Sequence, residues 1–201
     1  MAASWYKIPA SETRVGMRRA SLYYEALGRF VDAFSEVEIA AARALWKYAD
    51  VNQSTAKIVF SGTRADQGNR YIKEILEITK ASVELREDFE DIAQQFGVIS
   101  RVRNDVLHYG ASGIAEGKGL VSNESRAKST PRTFAISPGD LKKMTADLRK
   151  ILFRLNYVHI GRPLPRSRSI REELNQVLRA PWQYKFVESP PKDYPAQNPP
   201  D

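Results

Sequence analysis

Residues 20–49 read ASLYYEALGRFVDAFSEVEIAAARALWKYA. Tyr23, Leu27, Phe30, Phe34, Val37, Ala41 and Leu45 recur at intervals of three and four, with Trp46 beside them. That period places them along one side of an α-helix and predicts a long amphipathic helix from about Ala20 to Ala49. Glu38 falls inside the stripe, four residues after Phe34 and three before Ala41. An acid on an apolar face wants a cation. It either reaches solvent or a nearby lysine at the bundle edge, or meets Arg103 and fixes its guanidinium, which is the preferred reading. Glu36, one position round the other way, points to solvent.

The same period continues on the C-terminal side. Asn52 to Phe60 reads as a short helix capped by Asn52 or Ser54 and stopped at Ser61-Gly62. No glycine or proline occurs from Asn69 to Phe96, so one long helix, or two joined near Lys80 to Ser82, fills that space. Ile72, Ile75, Leu76, Thr79 and Val83 form one stripe, and Leu85, Phe89, Ile92 and Phe96 continue it. The acids Glu84, Glu87, Asp88, Glu90 and Asp91 mostly lie off the stripe and read as a solvated face, not a metal cluster. Ser137-Pro138-Gly139-Asp140 opens a last long helix, with Pro138 near its first turn. Leu141, Met144, Leu148, Ile151, Leu152 and Leu155 form its buried stripe, and His159 falls on it as a packed or helix-end histidine. Arg154 precedes His159 by five residues but sits on the outer face and is followed by leucine. The fold class is therefore all-α.

Gly97 is expected to break the preceding run, with a further helix starting just beyond it and carrying Arg103-Asn104-Asp105-Val106-Leu107-His108-Tyr109-Gly110. Asn104 and His108 share a polar face with Arg101 and Asp105, and Val98, Ile99, Val102 and Val106 form the apolar face opposite. Arg103 falls between Ile99 and Leu107 on the flank of the apolar stripe. A guanidinium there needs a partner, because an unpaired buried charge is strongly destabilising. The partner carboxylate is local or belongs to another subunit. Gly110 is suited to a left-handed helix cap, which leaves the His108 imidazole at a lip. The chain has only two histidines, so proton transfer near neutrality has few places to occur, and His108 is the better of the two.

The sequence Arg103-Asn104, then His108 four residues on, then an aromatic residue and glycine resembles the signature of the HEPN superfamily. Its members are small all-helical domains, many of them metal-independent ribonucleases found in toxin–antitoxin systems, abortive-infection proteins and RNA-guided CRISPR effectors. The local resemblance covers about ten residues, and the helical architecture agrees over roughly residues 20 to 160. It implies a HEPN-like helical bundle in which the motif helices of two copies meet at a two-fold axis. The protein would then act as a homodimer with one composite cleft.

Composition fits such a reading. The chain of 201 residues is long enough to bury a core and reads as one domain with appendages. It contains no cysteine, which excludes disulfides and thiolate metal sites, and its two histidines lie far apart. No metal or other cofactor is expected. The formal net charge of +7 and the pI of about 9.6 suit an anionic partner, most commonly nucleic acid. Charges interrupt every apolar run well short of a membrane span of ~18 residues, and Met1 to Pro9 holds no apolar signal core. A soluble, cytoplasmic protein with no membrane partner is expected.

Four units follow in order. Residues 1–19, with Trp5, Tyr6, Ile8, Pro9 and the basic Arg14, Arg18 and Arg19, read as an N-terminal arm. Residues 20–161 are the helical domain. After the motif helix, Leu120-Val121-Ser122 and Thr133-Phe134-Ala135-Ile136 predict a small β-hairpin or ordered loop around Arg126, Lys128 and Arg132. Gly113, Gly117 and Gly119 nearby lack phosphate-loop spacing. Residues 162–188 form a docking linker and short helix. Ser169 and Glu172 make a capping box there, and Trp182, Tyr184 and Phe186 alternate along an extended segment. Residues 189–201, with five prolines, read as a disordered tail.

Metal-independent RNA cleavage needs a base for the ribose 2′-hydroxyl, a cation for the phosphorane and an acid for the leaving 5′-oxygen. The resemblance assigns His108 as the base or acid and Arg103 as the phosphate ligand. Asn104 would orient His108 or contact phosphate, with Glu38 in support. Arg101, Lys118, Arg126, Lys128 and Arg132 are candidates for sequence-indifferent backbone contacts. The expectation is a HEPN-type endoribonuclease acting on single-stranded or structured RNA, in phage defence or as a toxin, with a cognate antitoxin or activating protein. Two rivals stand beside it: a catalytically silent HEPN-like dimer that binds nucleic acid or nucleotides, and a helical adaptor that docks through residues 162–188.

Overall fold

The structure is a computed structural model that describes residues 10–114, 117–123 and 133–186. Its helices are α1 (Ala10–Tyr48), α2 (Gln53–Val59), α3 (Ala65–Ile78), α4 (Val83–Tyr109), α5 (Pro138–Arg154) and α6 (Arg168–Arg179). A two-stranded antiparallel hairpin, β1 (Gly119–Ser122) and β2 (Thr133–Ile136), separates α4 from α5. Gly119 pairs with Ile136 and Ser122 with Thr133.

Helix α1 packs along α5 and α3, and α4 packs on the same two helices from the other side. The four helices thus form a bundle in which α1 and α4 sit diagonally. Phe34 of α1 and Phe96 of α4 meet across that diagonal, ring centroids 5.0 Å apart and nearly parallel. Phe30, Val37, Ile72, Ile99, Leu141, Met144, Leu148 and Ile151 are wholly buried around them. Each contributes about 1.5–3 kcal/mol of transfer free energy. These are the apolar stripes expected from periodicity, brought together on one core. No helix among the described residues is long and apolar enough to cross a membrane.

The caps account for several boundaries. The Asn52 side chain accepts from Thr55 N–H at the start of α2, and Ser137 forms a reciprocal capping box with Asp140 at the start of α5. Between α3 and α4 the chain turns at Lys80, whose φ is 54°, and Ser82 caps the new helix. The span from 69 to 96 is therefore two helices. The turn also resets the apolar face, which leaves Val83 about half exposed.

Four local expectations are corrected. Helix α1 already begins at Ala10 and not near Ala20, so residues 10–19 are its first turns; residues 1–9 lie outside the described chain. Helix α4 runs unbroken through Gly97. A single interior glycine is unfavourable by only about 1 kcal/mol relative to alanine, and the buried Phe96, Ile99 and Val102 hold both sides in register. Asp105, placed on the polar face of this helix by the wheel, is buried. In α6, Ser167 occupies the N-cap position without a side-chain cap bond, and Ser169 lies inside the first turn. Arg168 bonds Glu172 there instead, at 2.8 Å.

After α5 the helix widens into a π turn, Leu155–His159, with Ile160 N–H donating to Leu155 O. His159, at the end of this turn, is fully buried, as its place on the stripe predicts. Beyond α6, the extended segment through residue 186 folds back onto its own chain. Asp147, itself buried, accepts from the backbone N–H groups of Gln183 and Tyr184 at 2.8 Å each and from Gln95 Nε2 at 2.9 Å. Lys150 donates to Ala180 O, Trp182 Nε1 donates to Asp91, and Phe186 meets Phe134 edge to face. The expected alternation of Trp182, Tyr184 and Phe186 is thus a docked strand-like segment. The proline-rich stretch from 189 to 201 lies outside the described residues.

A candidate nucleic-acid cleft at the end of helix α4

Arg103, Asn104 and His108 line an open cleft of about 640 Å³ between α1, α3 and α4. Helix α1 contributes Phe34 and Glu38, and α4 adds Ser100 and Arg101. The N-terminus of α3 contributes Arg64, Asp66 and Asn69. The sequence-derived candidates Arg101, Arg103, Asn104, His108 and Glu38 therefore share one concave surface. Lys118 is exposed at the hairpin and is not part of this wall. Arg126, Lys128 and Arg132 lie outside the described residues.

The Arg103 guanidinium lies over the Phe34 ring, 5.0 Å from its centroid, and Nη1 donates to Asn104 Oδ1 at 3.0 Å. The ring face and the amide occupy the place where a carboxylate was expected. No ion pair joins Glu38 to Arg103 among the described residues, which corrects that pairing. Glu38 is exposed on the rim of the cleft, where water solvates its carboxylate. Arg103 Nε is buried without a hydrogen-bond partner. Buried donors are normally satisfied, so the guanidinium retains unused donor capacity beside the cleft. Asn104 Oδ1 is thus bound to Arg103, and no hydrogen bond joins Asn104 to His108 among the described residues.

His108 is exposed on the last turn of α4. Gly110 ends that helix with φ 71° and ψ −171°, while its N–H still donates to Val106 O. This conformation belongs almost solely to glycine and not to the left-handed helix region expected. A Cβ at Gly110 would meet nothing within 4 Å, so backbone strain alone opposes it. Gly110→Ala is expected to destabilise the protein by about 1–3 kcal/mol, read as a lower urea midpoint at unchanged slope.

Three guanidiniums (Arg64, Arg101, Arg103) face the cleft against two carboxylates (Glu38, Asp66). No side chain caps the N-terminus of α3, so its positive dipole end adds to them. Arg64, Asp66, Asn69 and Ser100 carry no motif of their own. Ser100 lies on α4 itself, and the packing of α3 against α4 brings the other three beside His108.

A second polar cluster surrounds the buried His159. His159 Nε2 lies 2.9 Å from Asp88 Oδ2, and Nδ1 lies 2.8 Å from Tyr48 Oη. A carboxylate only accepts, so Nε2 donates to Asp88, while Nδ1 is hydrogen-bonded to the tyrosine hydroxyl. Asp88 also receives Arg154 through Nε and Nη2, and Arg154 Nη1 reaches Asp91 at 2.6 Å. Arg154 is therefore not on the outer face, and Asp88 and Asp91 are not merely solvated: together they satisfy a guanidinium whose side chain is only 11% exposed. Burial pushes the Asp88 carboxyl up, but hydrogen bonds from His159 and Arg154 and the arginine charge outweigh it and hold it below the usual range. Burial, aided by the Asp88 charge, pushes the Tyr48 hydroxyl up to about 12. His159 is sequestered in this network and offers nothing to a substrate.

Compared with family models, with curated proteins and with solved structures, the chain matches none.

Proposed function

We propose that this protein is a metal-independent endoribonuclease of the HEPN type, acting on single-stranded or structured RNA through a site completed by a second copy. The observation that supports this best is that Arg103, Asn104 and His108 line one cleft together with Arg64 and Arg101. In this reading the ribose 2′-oxygen attacks phosphorus, the bond from phosphorus to the 5′-oxygen breaks, and a 2′,3′-cyclic phosphate is left. One His108 takes the 2′-hydroxyl proton, and the partner copy's histidine supplies one to the leaving oxygen. Arg103 and its counterpart hold the non-bridging oxygens as charge develops on them. Leu107, beside Arg103 on the helix and 43% exposed, is apolar surface for a second α4 to cover.

A silent nucleic-acid-binding dimer is the second reading. The packing of Arg103 on Phe34 and Asn104 favours it, since that arrangement also serves the fold. The adaptor reading is weakened because the segment expected to dock elsewhere is folded onto α4 and α5 of its own chain. A role in phage defence or as a toxin, with an antitoxin or activator, belongs to this proposal through the resemblance of Arg103, Asn104 and His108 to the HEPN signature. The test is incubation of the purified protein with total and transfer RNA in EDTA. Fragments ending in a 2′,3′-cyclic phosphate are expected, whereas binding without cleavage would favour the silent dimer.

A further inference from the structure

A second cavity, of about 230 Å³, opens between α1, α2 and the start of α3. Glu38, Arg64 and Ala65 line both it and the cleft, so the two adjoin along one lip. Trp46 and Phe60, each part-exposed, contribute aromatic walls, and the buried Leu45 and Ala56 add apolar lining. The volume falls below the ~300–1,000 Å³ of pockets for drug-sized ligands. It suits a single planar ring system. Such rings stack on aromatic side chains with little regard to identity, so selection must come from a polar group at the lip.

Lys57, Ser61, Thr63 and Arg64 also line the cavity, but Glu38 is the one carboxylate in that lining and lies on the shared lip. Its side chain is exposed and in no ion pair among the described residues. An ionised carboxylate only accepts, and it does so best from two parallel N–H donors. Among the four RNA bases, guanine alone offers two adjacent donors of this kind on its Watson–Crick edge, from N1 and the 2-amino group. Adenine and cytosine offer one amino group there, and uracil one imide N–H.

We infer that the cavity is a guanine-binding pocket for the RNA strand whose scissile phosphate lies in the neighbouring cleft. The base stacks against Trp46 or Phe60, and Glu38 reads its edge. This assignment rests on the RNA-cleaving reading above. It gives Glu38 a specificity role in place of the Arg103 contact that the sequence suggested.

The experiment is fluorescence anisotropy with 2′-O-methyl hexauridylates, which cannot be cut, carrying a single central guanine, adenine or cytosine or left unsubstituted. The guanine oligonucleotide is expected to bind about tenfold more tightly than the other three. Glu38→Gln, which leaves one acceptor and introduces a donor, is expected to erase that advantage while circular dichroism stays unchanged. Equal binding of all four, or a guanine preference that survives E38Q, overturns the pocket and leaves the RNA reading standing. Failure to bind any of the four overturns the RNA reading and the pocket with it.

Discussion

His108→Ala is expected to slow RNA cleavage in EDTA by about 10²–10⁴-fold, the usual contribution of a positioned general acid or base. His108 is exposed on the final turn of α4, and truncating it opens no cavity. Its fold and oligomeric state should therefore match the wild type, since surface substitutions usually change stability by less than about 0.5 kcal/mol. Arg103 needs a more careful pair of variants because its guanidinium also covers Phe34. Arg103→Ala removes both the charge and that cover. Arg103→Lys keeps the charge and loses the planar fork. If Arg103 holds two phosphate oxygens, the lysine variant falls with the alanine variant, by about 10²–10³-fold. Should the lysine variant keep full activity, Arg103 acts only as a point charge. Equal cleavage by wild type and H108A would remove His108 from the chemistry altogether.

The largest loss of stability is expected from Asp88→Ala, about 3 kcal/mol, because truncation leaves His159 Nε2 without its acceptor and Arg154 with only the half-exposed Asp91. Asp88 receives both Nε and Nη2 of Arg154, together with the Nε2 proton of His159. Its side chain is 26% exposed and those of its partners 11% and 0%, so water replaces little of what is lost. Urea unfolding followed by circular dichroism measures the change. Acid titration gives an independent check. The folded carboxyl is held below its unfolded value, so its contribution is fully present above the unfolded pKa of about 3.9 and is lost as pH falls through the lower folded value. Wild-type stability should decline in that window, and Asp88→Asn should flatten the decline. A wild-type acid limb that the asparagine variant reproduces would show that other carboxylates set it.

The helices were legible wherever one helix's own spacing decided the outcome. The stripe from Tyr23 to Leu45, the Asn52 cap, the helix opened at Ser137-Pro138 and the short β-like runs Leu120 to Ser122 and Thr133 to Ile136 each read directly into structure. Charged residues were not legible, because their burial depends on distant helices. Arg154 looks outward on its own helical wheel, yet Asp88 and Asp91, more than sixty residues earlier, draw it in. His159, by contrast, was legible from its place on the α5 stripe and is buried there. The candidate site shows the same division. Asn104 and His108 follow from four-residue spacing, whereas Arg64 and Asp66 reach the cleft only through the packing of α3, which no local pattern announces. Gly97 misled in the opposite sense, because a residue that disfavours helix was outweighed by the burial of its neighbours.

The continuity of α4 through Gly97 makes it a lever. Asp88 fastens one end to α5, and through Asp91 to Trp182 of the C-terminal segment. His108 stands twenty residues further along the same rod, about 30 Å away at 1.5 Å per residue. A tilt of about 5° at the fastened end would sweep the imidazole through roughly 2.6 Å on that arm. A displacement of about 1 Å is already enough to lose a productive attack geometry. Asp88, which never touches what the cleft holds, is thus one of the contacts that aim His108, together with the buried Phe96, Ile99, Val102 and Val106 between them.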